Sequence, residues 1–101
     1  MSYSNSFGNS NILEESFKQA IEDVKYLNKR PNNDDLLFLY GLFKQASFGD
    51  INISCPLLNP KERSKWNAWN NNKGLDKTKA KSMYVNFVEN LKEKYEYTKL
   101  F

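Results

Sequence analysis

Eight consecutive residues, Leu36-Leu37-Phe38-Leu39-Tyr40-Gly41-Leu42-Phe43, are apolar on every side of a helical wheel, and this run restricts the fold more than any other stretch of the chain. A helix on the surface of a bundle buries one stripe and shows the rest to water. An all-round apolar helix needs cover on two faces, from protein on both or from protein on one and a ligand on the other. The run is far shorter than the roughly 20 residues that cross a bilayer, and no transmembrane segment is expected.

The flanking sequence is helical too. Phe17, Ala20, Ile21, Val24 and Leu27 recur at spacings of three and four, which predicts a first helix from about Leu13 to Leu27. Asn33 or Asp34 can cap the second helix, because a short side-chain oxygen takes up an otherwise orphan backbone N–H, and that helix runs to about Phe48. Gly49 to Leu58 reads as a long loop crossing the molecule. Asn59-Pro60-Lys61-Glu62 opens a third helix, with asparagine as cap and proline at the first position, where no N–H is needed. Gly74 is expected to close it in a left-handed cap. Asp76 caps a fourth and longest helix, whose apolar face carries Ala80, Tyr84, Phe87, Val88, Leu91 and Tyr95. Its basic end, Lys92-Glu93-Lys94, reads as a solvated face. No alternation of β-branched residues competes, so the class is all-α.

At 101 residues the chain has material for one core. Residues 1–12 are rich in Ser and Asn and lack the basic start and apolar stretch of a secretory signal, so they are expected to be a flexible extension of a cytoplasmic protein, with the domain proper over residues 13–101. The single cysteine, Cys55, cannot form an internal disulfide and reads as an ordinary loop thiol.

Much chemistry is excluded by composition. The chain has no histidine, which removes Ser-His-Asp and Cys-His nucleophiles and His-containing zinc sites. Four scattered glycines, Gly8, Gly41, Gly49 and Gly74, cannot make a phosphate loop. The carboxylate pairs Glu14-Glu15 and Asp34-Asp35 are adjacent at helix beginnings, where they complement the helix dipole rather than each other. A binding or structural protein remains, with no catalytic residue, metal or cofactor expected.

Tyr40, Phe43 and Lys44 lie at i, i+3 and i+4, which puts two rings and an ammonium on neighbouring strips of helix two. Rings and a cation suit a nucleotide, since a base stacks on an aromatic face and a phosphate needs fixed positive charge. The plainer reading is core with a basic rim. Lys61 and Lys65 lie one turn apart beside Trp66 and Trp69, while Lys25 and Arg30 offer further cations near the end of helix one.

Phe17 to Lys25, Leu27, Arg30-Pro31 and Leu37 to Ala46, with its aromatic, variable pair, aromatic, Lys-Gln-Ala run, resemble the acyl-CoA-binding protein family. Gly49-Asp50-Ile51-Asn52, Pro56, Lys65-Trp66-Asn67-Ala68-Trp69-Asn70 before Lys73-Gly74, and Tyr84 continue the likeness over about residues 13 to 95. The resemblance implies a four-helix up-down-down-up bundle that binds medium- to long-chain fatty acyl-CoA without covalent chemistry. It implies that Lys44 and Lys65 hold the ribose 3′-phosphate with help from the Tyr40 hydroxyl, and that Phe43 stacks on the adenine. By the same likeness Lys25, Arg30 and Lys61 are accessory cations, Tyr84 contacts the nucleotide, and Leu37, Ile21 and Leu36 line the acyl groove. Gly41 and Leu42, inside the same motif, complete the implied ligand-binding set. A monomer is expected, in transient contact with membranes or acyl-CoA-using enzymes but without stable membrane insertion and without nucleic acid as partner.

Two departures stand out. Phe43 occupies a place where the family usually has tyrosine, and the loop from Pro56 to Trp66, with Leu57-Leu58-Asn59-Pro60, is one residue shorter than the family's. The competing class is an interaction module that docks nucleic acid or protein through Lys61, Lys65, Lys77, Lys79 and Lys81. A thioesterase is a third reading, for which no activated nucleophile can be named.

Overall fold

The computed structural model describes residues 10–99. Residues 1–9, the larger part of the expected N-terminal extension, lie outside the described residues. Four helices follow in order: α1 (Ser10–Asp23), α2 (Asn33–Phe48), α3 (Pro60–Asn70) and α4 (Lys77–Tyr95). Among the described residues there is no strand beyond an isolated antiparallel bridge between Leu27 and Tyr97. The all-α reading is correct.

Element boundaries follow the predicted caps closely but not everywhere. The side chain of Asn59 accepts from the N–H groups of Lys61 and Glu62, and that of Asp76 from Lys79 N–H, as expected. Helix α2 is capped by Asn32 instead of Asn33 or Asp34; its Oδ1 accepts from Asp35 N–H at 2.8 Å. Extended backbone after Pro31 puts Asn32 at the cap position and carries Asn33 and Asp34 into the first turn. Helix α1 begins at Ser10, inside the stretch expected to be extension, and stops at Asp23, where Val24–Tyr26 tighten into a 3₁₀ turn. Apolar periodicity runs through both geometries, so spacing alone does not distinguish them. Helix α3 ends at Asn70, four residues before Gly74, which takes φ 90° in the turn that follows.

Side-chain pairs give the directions. Lys81 near the start of α4 meets Glu14 near the start of α1 at 2.7 Å, and Lys92 near the end of α4 meets Asp23 at the end of α1 at 2.7 Å, so these helices run parallel. The Tyr95 hydroxyl at the end of α4 reaches Asn32 and Asp35 at the start of α2, so α2 runs antiparallel to α4. Tyr40 meets Lys65, and Phe48 meets Trp69, which makes α3 parallel to α2. The bundle is therefore up-down-down-up, and the loop between α2 and α3 must travel the length of the molecule.

One core holds α1, α2 and α4 together through Phe17, Ala20, Leu39, Leu42, Ala46, Ala80, Tyr84, Val88 and Leu91. Helix α3 joins on the opposite face of α2. There, Gly41 permits contact that no side chain would: a Cβ at that position would sit on the Ala68 carbonyl oxygen and 2.8 Å from its carbon. Polar ties fix the crossing loop. Gln45, fully buried, donates from Nε2 to Asp50 Oδ1 at 2.9 Å and to the Leu75 carbonyl at 2.8 Å, and Asp50 Oδ1 also accepts from Gly74 N–H. The Trp69 indole donates to the Gly49 carbonyl and the Trp66 indole to that of Ile53, both at 2.8 Å.

The basic end of α4 is the solvated face expected at Glu93 and Lys94 but not at Lys92. Only Glu93 and Lys94 are exposed, and Lys94 still pairs with Asp35 at 2.9 Å. Lys92 is drawn inward by Asp23, a buried carboxylate that also accepts from Gln19 and from the Tyr97 hydroxyl. Beyond the helix, Glu96 turns the chain with φ 62°, unusual for a residue with a side chain. Bonds from Asn28 N–H to the Glu96 carbonyl and from Lys29 to the Glu96 carboxylate hold that turn. Sequence spacing carries no trace of a contact 67 residues apart.

Two consequences are measurable. Gly41→Ala should lower stability to urea by about 1–3 kcal/mol, because overpacking at a backbone contact outweighs the helix propensity gained. Burial raises the pKa of Asp23, but the bonds from Lys92, Gln19 and Tyr97 outweigh it and leave the carboxyl below its ordinary value. Asp35 is lowered by Tyr95 and Lys94, and Asp50 by Gly74 N–H and Gln45. A folded pKa below the unfolded one gives stability that is full above the ordinary aspartate value of about 4 and is lost as pH falls through the folded value. The urea midpoint should therefore hold steady between about pH 7 and 5 and drop below about pH 4; Asp23→Asn should show a shallower drop.

Candidate functional site

The second face of α2 is not sealed by protein. Leu36, Leu37 and Tyr40, all half-buried, form one wall of a cavity of about 650 Å³ whose other wall is Pro60, Lys61, Ser64 and Lys65 of α3, with Arg30 and Asn33 closing one end. The volume lies within the ~300–1,000 Å³ usual for ligand sites. Helix periodicity builds both walls: Leu36, Leu37 and Tyr40 lie at spacings of three and four, as do Lys61, Ser64 and Lys65. Parallel helices then face these two stripes toward each other, while Gly41 and Ala68 hold them close one turn further on.

The floor is aliphatic and the rim cationic. Lys65 Nζ stands 5.1 Å from the centre of the Tyr40 ring and 3.7 Å from Glu62. Lys44 Nζ sits among three rings, 4.4 Å from the centre of Phe48, 4.8 Å from Trp69 and 6.0 Å from Tyr40. An aromatic face attracts an ammonium without neutralising it, so the charge remains available to an anion. Among the described residues no carboxylate lies within ion-pair distance of Arg30, Lys44 or Lys61, whereas Lys18, Lys25, Lys29, Lys81 and Lys94 each have one and Lys92 has two.

Of the residues singled out in sequence, Arg30, Leu37, Tyr40, Lys61 and Lys65 meet at this cavity, with Leu36 beside them, and Lys44 adjoins it through the Tyr40 ring. The others stand elsewhere. Phe43 and Tyr84 form a separate aromatic group with Phe17, their ring centres 6.4 Å apart, and burial pushes the Tyr84 hydroxyl up to about 12. Leu42 is wholly buried in the core, Ile21 packs against that core, and Gly41 faces Ala68. Lys25 is exposed and paired with Glu22 at 2.9 Å. Asn33, Pro60 and Ser64 line the cavity without having been singled out; the i, i+3, i+4 relation of Lys61, Ser64 and Lys65 was the available signal. The basic strip of the competing reading is divided, since Lys81 on α4 is committed to Glu14 on α1.

A half-open apolar slot edged with unneutralised cations and aromatic rings suits an amphiphile with an anionic, aromatic head. Residues 14–88 match the family model described as Acyl CoA binding protein. The chain is 48% identical over 85 residues to the acyl-CoA-binding protein homolog of Drosophila melanogaster, covering 83% of this chain and 99% of that one. Among solved structures it is similar to the crystal structure of acyl-CoA-binding protein 2 of Oryza sativa, with TM-score 0.77 and 38% identity over 81% of this chain and 92% of the other. It is also similar to the crystal structure of ACBP from Moniliophthora perniciosa, with TM-score 0.75 and 34% identity over 82% and 83% of the two chains. A match over most of the chain in sequence, and over about four-fifths of it in structure, leaves one assignment: the chain belongs to the acyl-CoA-binding protein family.

Proposed function

We propose that this protein binds medium- to long-chain fatty acyl-CoA esters non-covalently between α2 and α3, and that it buffers and carries them in the cytoplasm as a monomer without chemical change. The observation that carries the reading is the union, in one cavity, of the Leu36–Leu37 floor with the Arg30, Lys61 and Lys65 rim. CoA brings about four negative charges, and each charge-assisted bond to its phosphates is worth about 1.5–3 kcal/mol. The acyl chain adds up to ~0.8 kcal/mol per buried methylene, about fourfold in affinity.

Lys44 and Lys65, whose ammonium groups lie 6.0 and 5.1 Å from the centre of the Tyr40 ring, are the pair for the ribose 3′-phosphate, with the Tyr40 hydroxyl as a further donor. Arg30 and Lys61 take the remaining phosphates. Phe43, half-buried against Phe17 and Tyr84, offers its open side to the adenine. Lys25 would act only at the edge of the head group. Among the described residues no helix is long and apolar enough to cross a membrane, in keeping with a carrier that visits membranes rather than spanning them.

Calorimetric titration with CoA, a medium-chain acyl-CoA, palmitoyl-CoA and free palmitate tests the reading. Affinity should climb from CoA to palmitoyl-CoA, with no heat from palmitate; silence with all four ligands would overturn it. Lys44→Ala should weaken binding of CoA itself by about 1.5–3 kcal/mol while circular dichroism stays unchanged. Equal affinity in variant and wild type would sink the head-group assignment.

A further inference from the structure

Leu57 and Leu58 are the most exposed large apolar residues among those described, at 78% and 97% of their full surface. In the chain they immediately precede its α3 wall. Asn59, directly after them, caps α3, and the next two residues, Pro60 and Lys61, already line the slot. The loop that carries them is anchored: both indoles of α3 hold its first half through the Gly49 and Ile53 carbonyls. Ile53, 57% exposed, extends the same apolar loop.

The surroundings are basic. Lys61, Arg63 and Lys65 follow within one and a half turns, against the single carboxylate of Glu62, and Arg63 is exposed with no carboxylate at ion-pair distance among the described residues. A tip of two leucines is too small for the ~800 Å² per partner of a stable protein interface. It matches instead the shallow, reversible insertion that takes one weak apolar signal together with a basic patch. Long-chain acyl-CoA is itself an amphiphile that concentrates in bilayers, where a carrier must collect it.

We propose that the Leu57–Leu58 tip, with Lys61 and Arg63 beside it, docks the protein on the surface of an anionic lipid bilayer and so presents the mouth of the cavity to acyl-CoA dissolved there. The docking deepens the acyl-CoA reading and rests on it.

Sedimentation of the full chain with phosphatidylcholine vesicles, with and without phosphatidylserine, tests the docking. Wild type should bind the serine-containing vesicles more tightly and release them at high salt. The double variant Leu57→Ser, Leu58→Ser should lose about tenfold or more in partitioning, with thermal midpoint and vesicle-free affinity for palmitoyl-CoA unchanged. Arg63→Glu should weaken binding to the anionic vesicles alone. Unchanged partitioning of the double variant would overturn the proposal. Absence of wild-type binding to either vesicle would do so too, and would leave the leucines to a protein partner. Loss of palmitoyl-CoA affinity by the double variant in free solution would overturn it by placing the leucines inside the ligand site. Failure of wild type to take up palmitoyl-CoA in vesicle-free buffer would overturn the underlying acyl-CoA reading whatever the sedimentation shows.

Discussion

The approach of α2 to α3 at Gly41 sets the dimensions of everything on that side of the molecule. With no Cβ at this position, the backbone of α2 lies against the Ala68 carbonyl, and the two parallel helices diverge from that contact toward their N-terminal ends. The cavity is the wedge of space so opened. Its α2 wall is apolar because α2 is apolar all round: Leu39 and Leu42 face the core shared with α1 and α4, while Leu36 and Leu37 face the slot. A bulkier residue at the crossing would separate the helices and shift both lysine-bearing and leucine-bearing stripes together.

Charge is distributed as unevenly as apolar surface. In the turn after α1 and from Lys81 to the end of α4 the lysines are answered by carboxylates: Lys25 by Glu22, Lys81 by Glu14, Lys92 by Asp23 and Glu89, Lys94 by Asp35. Around α3 and the end of α2 most cations are left to aromatic rings or to water. The small net charge of +3 therefore hides a local excess, since residues 44–73 carry five Lys and Arg against two Asp and Glu. Long-range attraction of an anionic ligand depends on that local field more than on the total.

Local chemistry was readable in the sequence and distant pairing was not. Asn59-Pro60 and Asp76 announce their helix starts because a cap is a matter of three or four residues, and the 3.6-residue period gives the buried faces of α1 and α4. Asn32 was missed as a cap because three polar residues in a row offer equivalent oxygens, and only the path of the chain after Pro31 chooses among them. The site was half legible: Tyr40, Lys61 and Lys65 stand out by spacing and by family likeness, while Ser64 and Asn33 become lining residues only once α2 and α3 are known to be parallel. Lys92 illustrates the opposite failure. Amid charged neighbours it reads as surface, yet it is the partner of the buried carboxylate of Asp23, which lies 69 residues earlier in sequence.

The clamp between Tyr95 and the start of α2 bears on how the chain comes to be folded at all. Its hydroxyl donates to Asp35 at 2.6 Å and accepts from Asn32 N–H at 3.0 Å, which steadies the segment that brings Arg30 and Asn33 to the cavity. On a ribosome that segment emerges early and waits for a partner some 60 residues behind it. Until Tyr95 has been released the Leu36–Phe43 run has no fourth helix to lie on, and its greasy surface is open to aggregation or to chaperones. Translation speed across α4 thus sets how long the nascent carrier spends in its most vulnerable form.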